Sequence, residues 1–470
     1  MTLLQALIDL LGAQHVLTGE DAQPYLTDWR RLRTGRALAV VRPVDTLQTA
    51  AVVKLCAAAR APIVPQGGNT GQVAGATPDE KGDAVVVNLQ RLNRVRAIDT
   101  ENDTITVEAG CILQTVQRVA QDAGRLFPLS LGAEGSCFIG GNLATNAGGT
   151  QVLRYGNARE LTLGLEVVTA EGEVWSGLHG LRKDNTGYDL RDLYIGSEGT
   201  LGIITAATLK LFPMPRAQRT ALLALPGIEQ ATQMLNRARE GFGAALTAFE
   251  VMSCASLALV VNTFPQQRLP FADPLPDAQW YALIELSDSE SDTHAQALFE
   301  TVLGEGMEDG LILDAAIASS QSQSDAFWHL RESITLALAE TGYCIKHDIS
   351  LPVSRLADFV VQTDAALQAA FPGVRMRVFG HLGDGNLHYN LQGPEGASAD
   401  NVKGFESTVQ ALVHDRVHAL NGSISAEQGI GAKRVDDLAR YKDPLALALM
   451  RRIKQALDPQ GIMNPGKLLG

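Results

Sequence analysis

Pro65-Gln66-Gly67-Gly68-Asn69-Thr70-Gly71 is the stretch on which the reading of this chain turns. A short extended run, 61–65, feeds two glycines followed by small polar residues. Glycine lets backbone approach a ligand closely, and consecutive N–H groups converging in such a loop form a concave nest suited to a diphosphate. A second stretch has the same character: Gly140-Gly141-Asn142-Leu143-Ala144-Thr145-Asn146-Ala147-Gly148-Gly149, preceded by Gly132-Ala133-Glu134-Gly135-Ser136. Taken singly, either cluster reads first as a tight turn with no ligand. No GK[ST] follows, so neither is a Walker A loop, and neither has the GxGxxG spacing of a Rossmann NAD site.

Outward from these loops the pattern alternates. Leu47, Ala51, Leu55 and Ala58 mark one helix face, and 112–121 reads as another helix. Strands are expected over 83–89, 104–108, 161–169 and 199–211. Pro213 and Pro215 then punctuate the chain, which places a boundary after a first domain at 1–215. The segment 216–422 reads as a second α+β domain, with a strand at 282–286, helices at 325–339 and 353–370, and paired strands at 375–379 and 387–391 around an Asp384-Gly385 turn. The remainder, 423–470, contains a helix capped by Asp443 with Pro444 in its first turn, an apolar stripe Leu449, Ile453 and Leu457, and a stop at Asp458-Pro459.

The 470 residues are too many for one core, and the hydrophobic share of 46% is that of an ordinary globular protein. A net charge of −13 without a long Lys/Arg run argues against a nucleic-acid surface. The five cysteines form no CxxC pair, which points to inert thiols in a reducing compartment and excludes a cysteine-ligated cluster within this chain. Residues 1–17 read as an amphipathic helix carrying Asp9, not as a signal peptide, and no run spans a bilayer. The cytoplasm is the expected location. No feature sets the oligomeric state; a homodimer is allowed.

Chemistry is concentrated at Gly380-His381-Leu382-Gly383-Asp384-Gly385-Asn386-Leu387-His388-Tyr389-Asn390. Two histidines seven apart on one straight strand would face opposite sides, whereas the intervening turn can bring both to one point. Neutral imidazole is the commonest metal ligand, and Glu427, in Ser425-Ala426-Glu427-Gln428-Gly429, is a candidate third ligand. Without further context the same residues read as ordinary polar packing. HExxH is absent, which removes the usual zinc hydrolase signature.

The 65–71 loop, the 132–149 stretch and Gly196-Ser197-Glu198-Gly199-Thr200-Leu201-Gly202 together resemble the FAD domain of the vanillyl-alcohol-oxidase type flavoproteins. The resemblance implies an α+β fold with two α+β subdomains around extended FAD. Pro65, Gln66, Gly67, Gly68, Asn69, Thr70 and Gly71 would take the diphosphate. Gly132, Ser136, Gly140, Gly141, Asn142, Thr145, Asn146, Gly148, Gly149, Glu198, Gly199, Ile203 and Ile204 would line the rest, with Asn464 near the flavin ring. Relatives that attach FAD covalently often use a histidine in the first loop; this loop has Asn69, so non-covalent FAD is implied.

The second half resembles the D-2-hydroxyacid dehydrogenases of that family. The match rests on Trp328-His329-Leu330-Arg331-Glu332, Lys346-His347-Asp348-Ile349-Ser350-Leu351-Pro352, the 380–390 run, Leu457-Asp458-Pro459 and Asn464-Pro465. It implies an α+β substrate (cap) domain with an antiparallel sheet and a C-terminal segment that completes the active site. It further implies that His381, His388 and Glu427 hold a divalent metal, zinc being expected. Arg331 would bind a substrate carboxylate, Lys346, Thr335 and Asn390 would contact the rest, and hydride would pass to flavin N5. D-2-hydroxyglutarate oxidised to 2-oxoglutarate is the leading substrate, with D-lactate, D-malate or glycolate as alternatives and an accessory flavin-binding subunit without turnover as a further one. The electron acceptor stays open between an electron-transfer flavoprotein, a quinone and a soluble carrier. One departure stands out: where relatives carry a histidine after the metal-binding Glu, this chain has Gln428, which is no base near neutral pH. Water, His347 or an altered reaction are the alternatives.

Overall fold

Thr2 accepts the Gln5 N–H and opens the helix Leu3–Leu11 (α1), which ends at Gly12 with φ +84°. The segment expected as one helix over 1–17 is therefore helical only in its first part, and Val16–Leu17 (β1) is already a strand. Asp45 accepts the Gln48 N–H (2.7 Å) and starts Thr46–Ala59 (α2). Strands Ala39–Val41 (β2), Ile63–Gln66 (β3) and Val85–Asn88 (β4) join β1 in the order β1-β2-β4-β3, with β2 and β3 parallel to β4. Val85, Val86 and Val87 are all fully buried, as a parallel strand covered on both faces requires. Leu7, Val41, Val52, Val53, Ile63 and Val87 share one core cluster with Ile203.

The computed structural model describes residues 1–31, 33–271 and 275–470. These divide into two units, one of Met1–Gly148, Gly156–Met214 and Glu427–Gly470, the other of Gly149–Tyr155 and Pro215–Ala426. Besides the first sheet, unit one holds Val95–Asp99 (β5), Thr104–Glu108 (β6), Thr162–Thr169 (β7), Val174–Gly177 (β8) and Gly202–Lys210 (β9), antiparallel in the order β5-β6-β9-β7-β8. Helices Leu113–Asp122 (α3) and Ile139–Ala144 (α4) lie between them in sequence, α4 inside the second glycine-rich stretch. The buried acids Glu108 and Glu166 are neutralised within this unit by Arg94 and Arg96.

Unit two is built on an eight-stranded antiparallel sheet. Its strands are Ala217–Leu225 (β10), Leu246–Ser253 (β11), Trp280–Asp288 (β12), Asp314–Ile317 (β13), Cys344–Ile345 (β14), Asp348–Ser350 (β15), Arg375–His381 (β16) and Asn386–Gln392 (β17). The order is β13-β10-β12-β11-β16-β17-β14, and β15 also pairs with β17. Ser320 caps Gln321–Glu340 (α5), whose buried stripe is Phe327, Leu330, Arg331, Ile334, Ala337 and Leu338. A charged residue in that stripe is the first structural sign of a site. Leu222, Met252, Leu283 and Phe379 from the sheet pack against the same helix and against Cys254–Thr263.

In the last segment, Asp443 accepts the Ala446 N–H (2.8 Å) and Pro444 opens Pro444–Leu457 (α6), as the sequence predicts. Its expected stripe does not face the core: Leu449 and Ile453 are exposed and Leu447 is the buried residue. The helix buries a neighbouring, narrower face. No helix among the described residues is long and apolar enough to cross a membrane. None of the five cysteines forms a disulfide among the described residues.

Candidate active site

The turn between β16 and β17 sets the geometry. Gly385 adopts φ +85°, and a Cβ there would meet Leu351 O at 2.3 Å, so the tight reversal requires glycine. The reversal pairs Phe379 with His388 and leaves His381 at the end of β16, with the two imidazole centroids 5.5 Å apart. Ala426 N–H donates to Asp348 O (3.1 Å), and Glu427 follows directly in sequence. One ligand atom each from His381, His388 and Glu427 lies within 4.8 Å of the others. Two imidazole nitrogens and a carboxylate oxygen so close form a donor set that fits a divalent cation with a coordination position left over.

The surroundings of both histidines orient them. His381 Nδ1 meets Glu250 Oε1 at 2.6 Å, and His388 Nδ1 lies 3.7 Å from Asp348 Oδ1. Asn386 Nδ2 donates to Asp348 Oδ1 (3.0 Å) and holds that carboxylate in place. Burial drives the His388 imidazole down to about 3, against the pull of Asp348 and with help from His381 and Arg331. Burial pushes the Glu250 carboxyl up, but the facing His381 and Arg331 outweigh it and leave that carboxyl below its ordinary value.

Arg331 reaches this cluster from α5. Its Nε donates to Glu250 Oε2 (2.8 Å), and its guanidinium lies 5.0 Å from the centroid of the Phe379 ring. Nη2 is also 2.8 Å from Glu250 Oε2, yet its N–H bonds are not aimed at that oxygen; it is buried without an acceptor among the described residues. An N–H in that state suits an incoming carboxylate. Thr335 is one helical turn further along α5 and half-buried, as is Lys346 between β14 and β15. Asn390 is buried on β17, on the face that also carries His388. His347 is turned elsewhere: Nδ1 contacts Tyr389 O (2.8 Å) and its ring stacks edgewise on His414.

The glycine-rich loops of unit one are braced by their own polar side chains. Gln66 Nε2 donates to Tyr25 O (2.8 Å) and Ala76 O (3.0 Å), and Asn69 Nδ2 to Thr27 O (2.8 Å). A Cβ on Gly68 would meet Ser136 O at 2.0 Å, and one on Gly140 would meet Ala109 Cβ at 2.7 Å, so these two glycines allow protein to pack on protein. Gly71, Gly132 and Gly141 differ. Their φ angles are not left-handed and nothing lies within 4 Å of an added Cβ. Neither backbone strain nor internal packing asks for glycine there, and the space beside each stays open to a closely seated ligand. Asn464 adds an orphaned atom: Nδ2 donates to Gly75 O and Glu198 O, while its buried Oδ1 has no partner among the described residues. An extended flavin nucleotide fits both features.

The other residues expected at the cofactor have their own partners within unit one. Glu198 is buried, and its two carboxylate oxygens take the N–H groups of Ile430 (2.8 Å) and Gly431 (2.6 Å). Ile203 lies in the core cluster beneath the first sheet, and Ile204 pairs with Val167. Asn146 Oδ1 accepts the Arg159 N–H (2.9 Å), and Thr145 Oγ1 donates to Gly141 O (3.2 Å). Asn142 is buried on α4 beside Cys137. Pro65 lies in β3 and Thr70 in the loop that follows it, Ser136 Oγ donates to Ala133 O (3.3 Å), and Gly199 packs its backbone on Pro65. Gly148 closes the first segment of unit one, and Gly149 opens the short piece assigned to unit two. The group that sequence reading missed is Glu250. Its only signal was a lone acid in an apolar strand.

A first test of the flavin cradle is Gly141→Ala. Alanine in α4 should leave the apo-protein as stable or up to about 1 kcal/mol more so, while flavin retained through purification falls severalfold. Full flavin content in a folded Gly141→Ala protein removes this glycine from the cradle.

Comparison with known proteins gives concordant results. Residues 37–177 match the FAD binding domain family, and residues 214–468 match the family of FAD linked oxidases, C-terminal domain. D-2-hydroxyglutarate dehydrogenase of Bos taurus is 39% identical over 98% of this chain and 83% of its own length. The D-2-hydroxyglutarate dehydrogenase of Xanthomonas citri pv. viticola is 39% identical over 95% and 92%. Among solved structures, p-cresol methylhydroxylase with substrate bound aligns with a TM-score of 0.79 at 16% identity, covering 99% of this chain and 96% of its own, a likeness of fold alone. The α+β architecture with an FAD-binding part and a substrate part is that of these families. The expected cytoplasmic location is overturned: the relatives from Bos taurus, Rattus norvegicus and Arabidopsis thaliana are all named as mitochondrial enzymes. Charge and thiol count describe the folded domain, whereas a compartment is chosen by a separate address.

Proposed function

The chain belongs to the FAD-linked oxidase family, as an FAD-dependent oxidoreductase acting on the CH–OH group of a 2-hydroxy acid; from that premise we propose that its substrate is D-2-hydroxyglutarate and that His381, His388 and Glu427 hold a divalent ion, zinc by expectation, at the site of reaction. The observation that carries the reading is the convergence of that donor triad with a buried guanidinium whose Nη2 has no acceptor among the described residues. The names of the relatives from Bos taurus and Xanthomonas citri support the substrate.

When bound, the flavin supplies the acceptor for the hydrogen leaving C2, and the ion supplies Lewis acidity beside the 2-hydroxyl. Arg331 binds the substrate carboxylate nearest C2 and fixes its orientation. Thr335 and Asn390 contact the chain of the substrate, and Lys346 receives the second carboxylate. Gly71, Gly132, Gly141 and Asn464 cradle the cofactor in unit one. Oxidation also releases the hydroxyl proton. Gln428 cannot take it, and His347 faces Tyr389 and His414, so solvent water is its destination.

Anaerobic bleaching of the bound flavin by D- and L-2-hydroxy acids, with and without chelator, tests substrate, stereochemistry and metal together. D-2-hydroxyglutarate should bleach fastest, and chelation should slow it strongly. Equal rates with lactate, or indifference to chelator, would refute the respective part. Lys346→Met should raise KM for dicarboxylates at least tenfold more than for lactate. Parallel losses would remove Lys346 from substrate selection.

A further inference from the structure

Glu250 is 1% exposed in the middle of β11, and it is the group that both Arg331 and His381 touch. The three side chains come from separate elements: Glu250 and His381 are cross-strand partners on β11 and β16, and Arg331 descends from α5. Oε1 takes His381 Nδ1 at 2.6 Å, and Oε2 takes Arg331 Nε at 2.8 Å. We propose that Glu250 is a positioning residue that sets the ligand atom of His381 and the free edge of Arg331 in one frame, so that metal and substrate carboxylate are presented in fixed register. The inference rests on the roles given to His381 and Arg331 above.

A carboxylate facing Nδ1 holds the imidazole proton on that nitrogen, which leaves the Nε2 lone pair as the only ligand atom. A carboxylate on Nε fixes the roll of the guanidinium and leaves Nη2, already short of an acceptor, turned away from Glu250. A mere buried ion pair would ask only for charge balance; this arrangement also needs two acceptors on one rigid group. Glutamine has nearly the same shape but one acceptor. If its NH2 faces His381, the ring must accept at Nδ1, its proton moves to Nε2 and the ligand atom is lost. If the NH2 faces Arg331, two donors oppose each other and the guanidinium rolls away.

The test uses the purified flavin-loaded enzyme and two binding measurements that require no turnover. Zinc affinity is obtained by competition with a chromophoric chelator, and 2-oxoglutarate affinity by calorimetry on chelator-stripped protein, where Arg331 acts without the ion. Glu250→Gln should weaken at least one of the two by tenfold to a hundredfold, with flavin content unchanged. Glu250→Asp, which keeps two acceptors on a shorter arm, should recover part of the loss. Should Glu250→Gln not fold, Glu250→Asp decides alone: tenfold weaker zinc or 2-oxoglutarate binding by a folded protein supports the proposal. Wild-type affinities for both, with only a lowered melting temperature, would overturn it and leave Glu250 as a stabilising acid. If the wild-type enzyme itself retains no zinc, the metal reading fails and takes the His381 half with it. The metal-free 2-oxoglutarate arm then still accepts or rejects the Arg331 half.

Discussion

Replacing His388 with alanine is expected to abolish metal retention and cut kcat/KM by about a thousandfold or more. Loss of Lewis-acid stabilisation is worth several kcal/mol, and each 1.36 kcal/mol is tenfold in rate. His388 is enclosed by its neighbours, with the Phe379 ring tilted against it (4.9 Å) and Asp348, itself held by Asn386, beside it. The proposed flavin cradle uses residues of unit one and does not include His388, so the variant should remain yellow. Metal analysis, absorption spectrum and steady-state rates on the same preparation decide the matter. Activity within tenfold of wild type, with metal still bound, would dismiss His388 as a ligand.

Arg331→Met should show two losses at once. Removing one partner of a buried, hydrogen-bonded charge costs binding about 2–5 kcal/mol, which is roughly thirtyfold to several thousandfold in kcat/KM. It also leaves Glu250 buried with one cationic neighbour fewer, a change that destabilises by about 3–5 kcal/mol. Arg331 and Glu250 are 7% and 1% exposed, so solvent does little to soften either effect. Arg331→Met combined with Glu250→Gln should recover part of the stability and none of the catalysis. Denaturant unfolding and rates on both variants separate the two. An Arg331→Met enzyme with normal KM and normal stability would show that this guanidinium neither clamps substrate nor balances Glu250.

How much of this was readable beforehand depended on whether the information is local. The turn at Asp384-Gly385, the cap at Asp443 and the two histidines that a reversal must bring together are all written within a few residues, and the structure follows them. Glu250 was invisible because its partners are 81 and 131 positions away, and only strand pairing for His381 and the packing of α5 for Arg331 make them neighbours. The partners of Glu198 were equally hidden: the family resemblance names this acid among the cofactor residues, and its carboxylate takes backbone N–H groups more than 230 positions downstream. The stripe at Leu449 and Ile453 went astray because periodicity identifies a face without saying that anything covers it.

The return of the last segment to the first sheet has a consequence for synthesis. β3 is the edge of that sheet, and its outer side is matched by Met463, with Ile63 N–H donating to Ile462 O and Ile63 O accepting from Asn464 N. All of unit two is made before those partners leave the ribosome. At about 5–20 residues per second, the open strand waits for tens of seconds while the intervening chain is translated. For that interval Ile63 presents an unpaired β edge, the kind of surface chaperones shield and neighbouring nascent chains can add to.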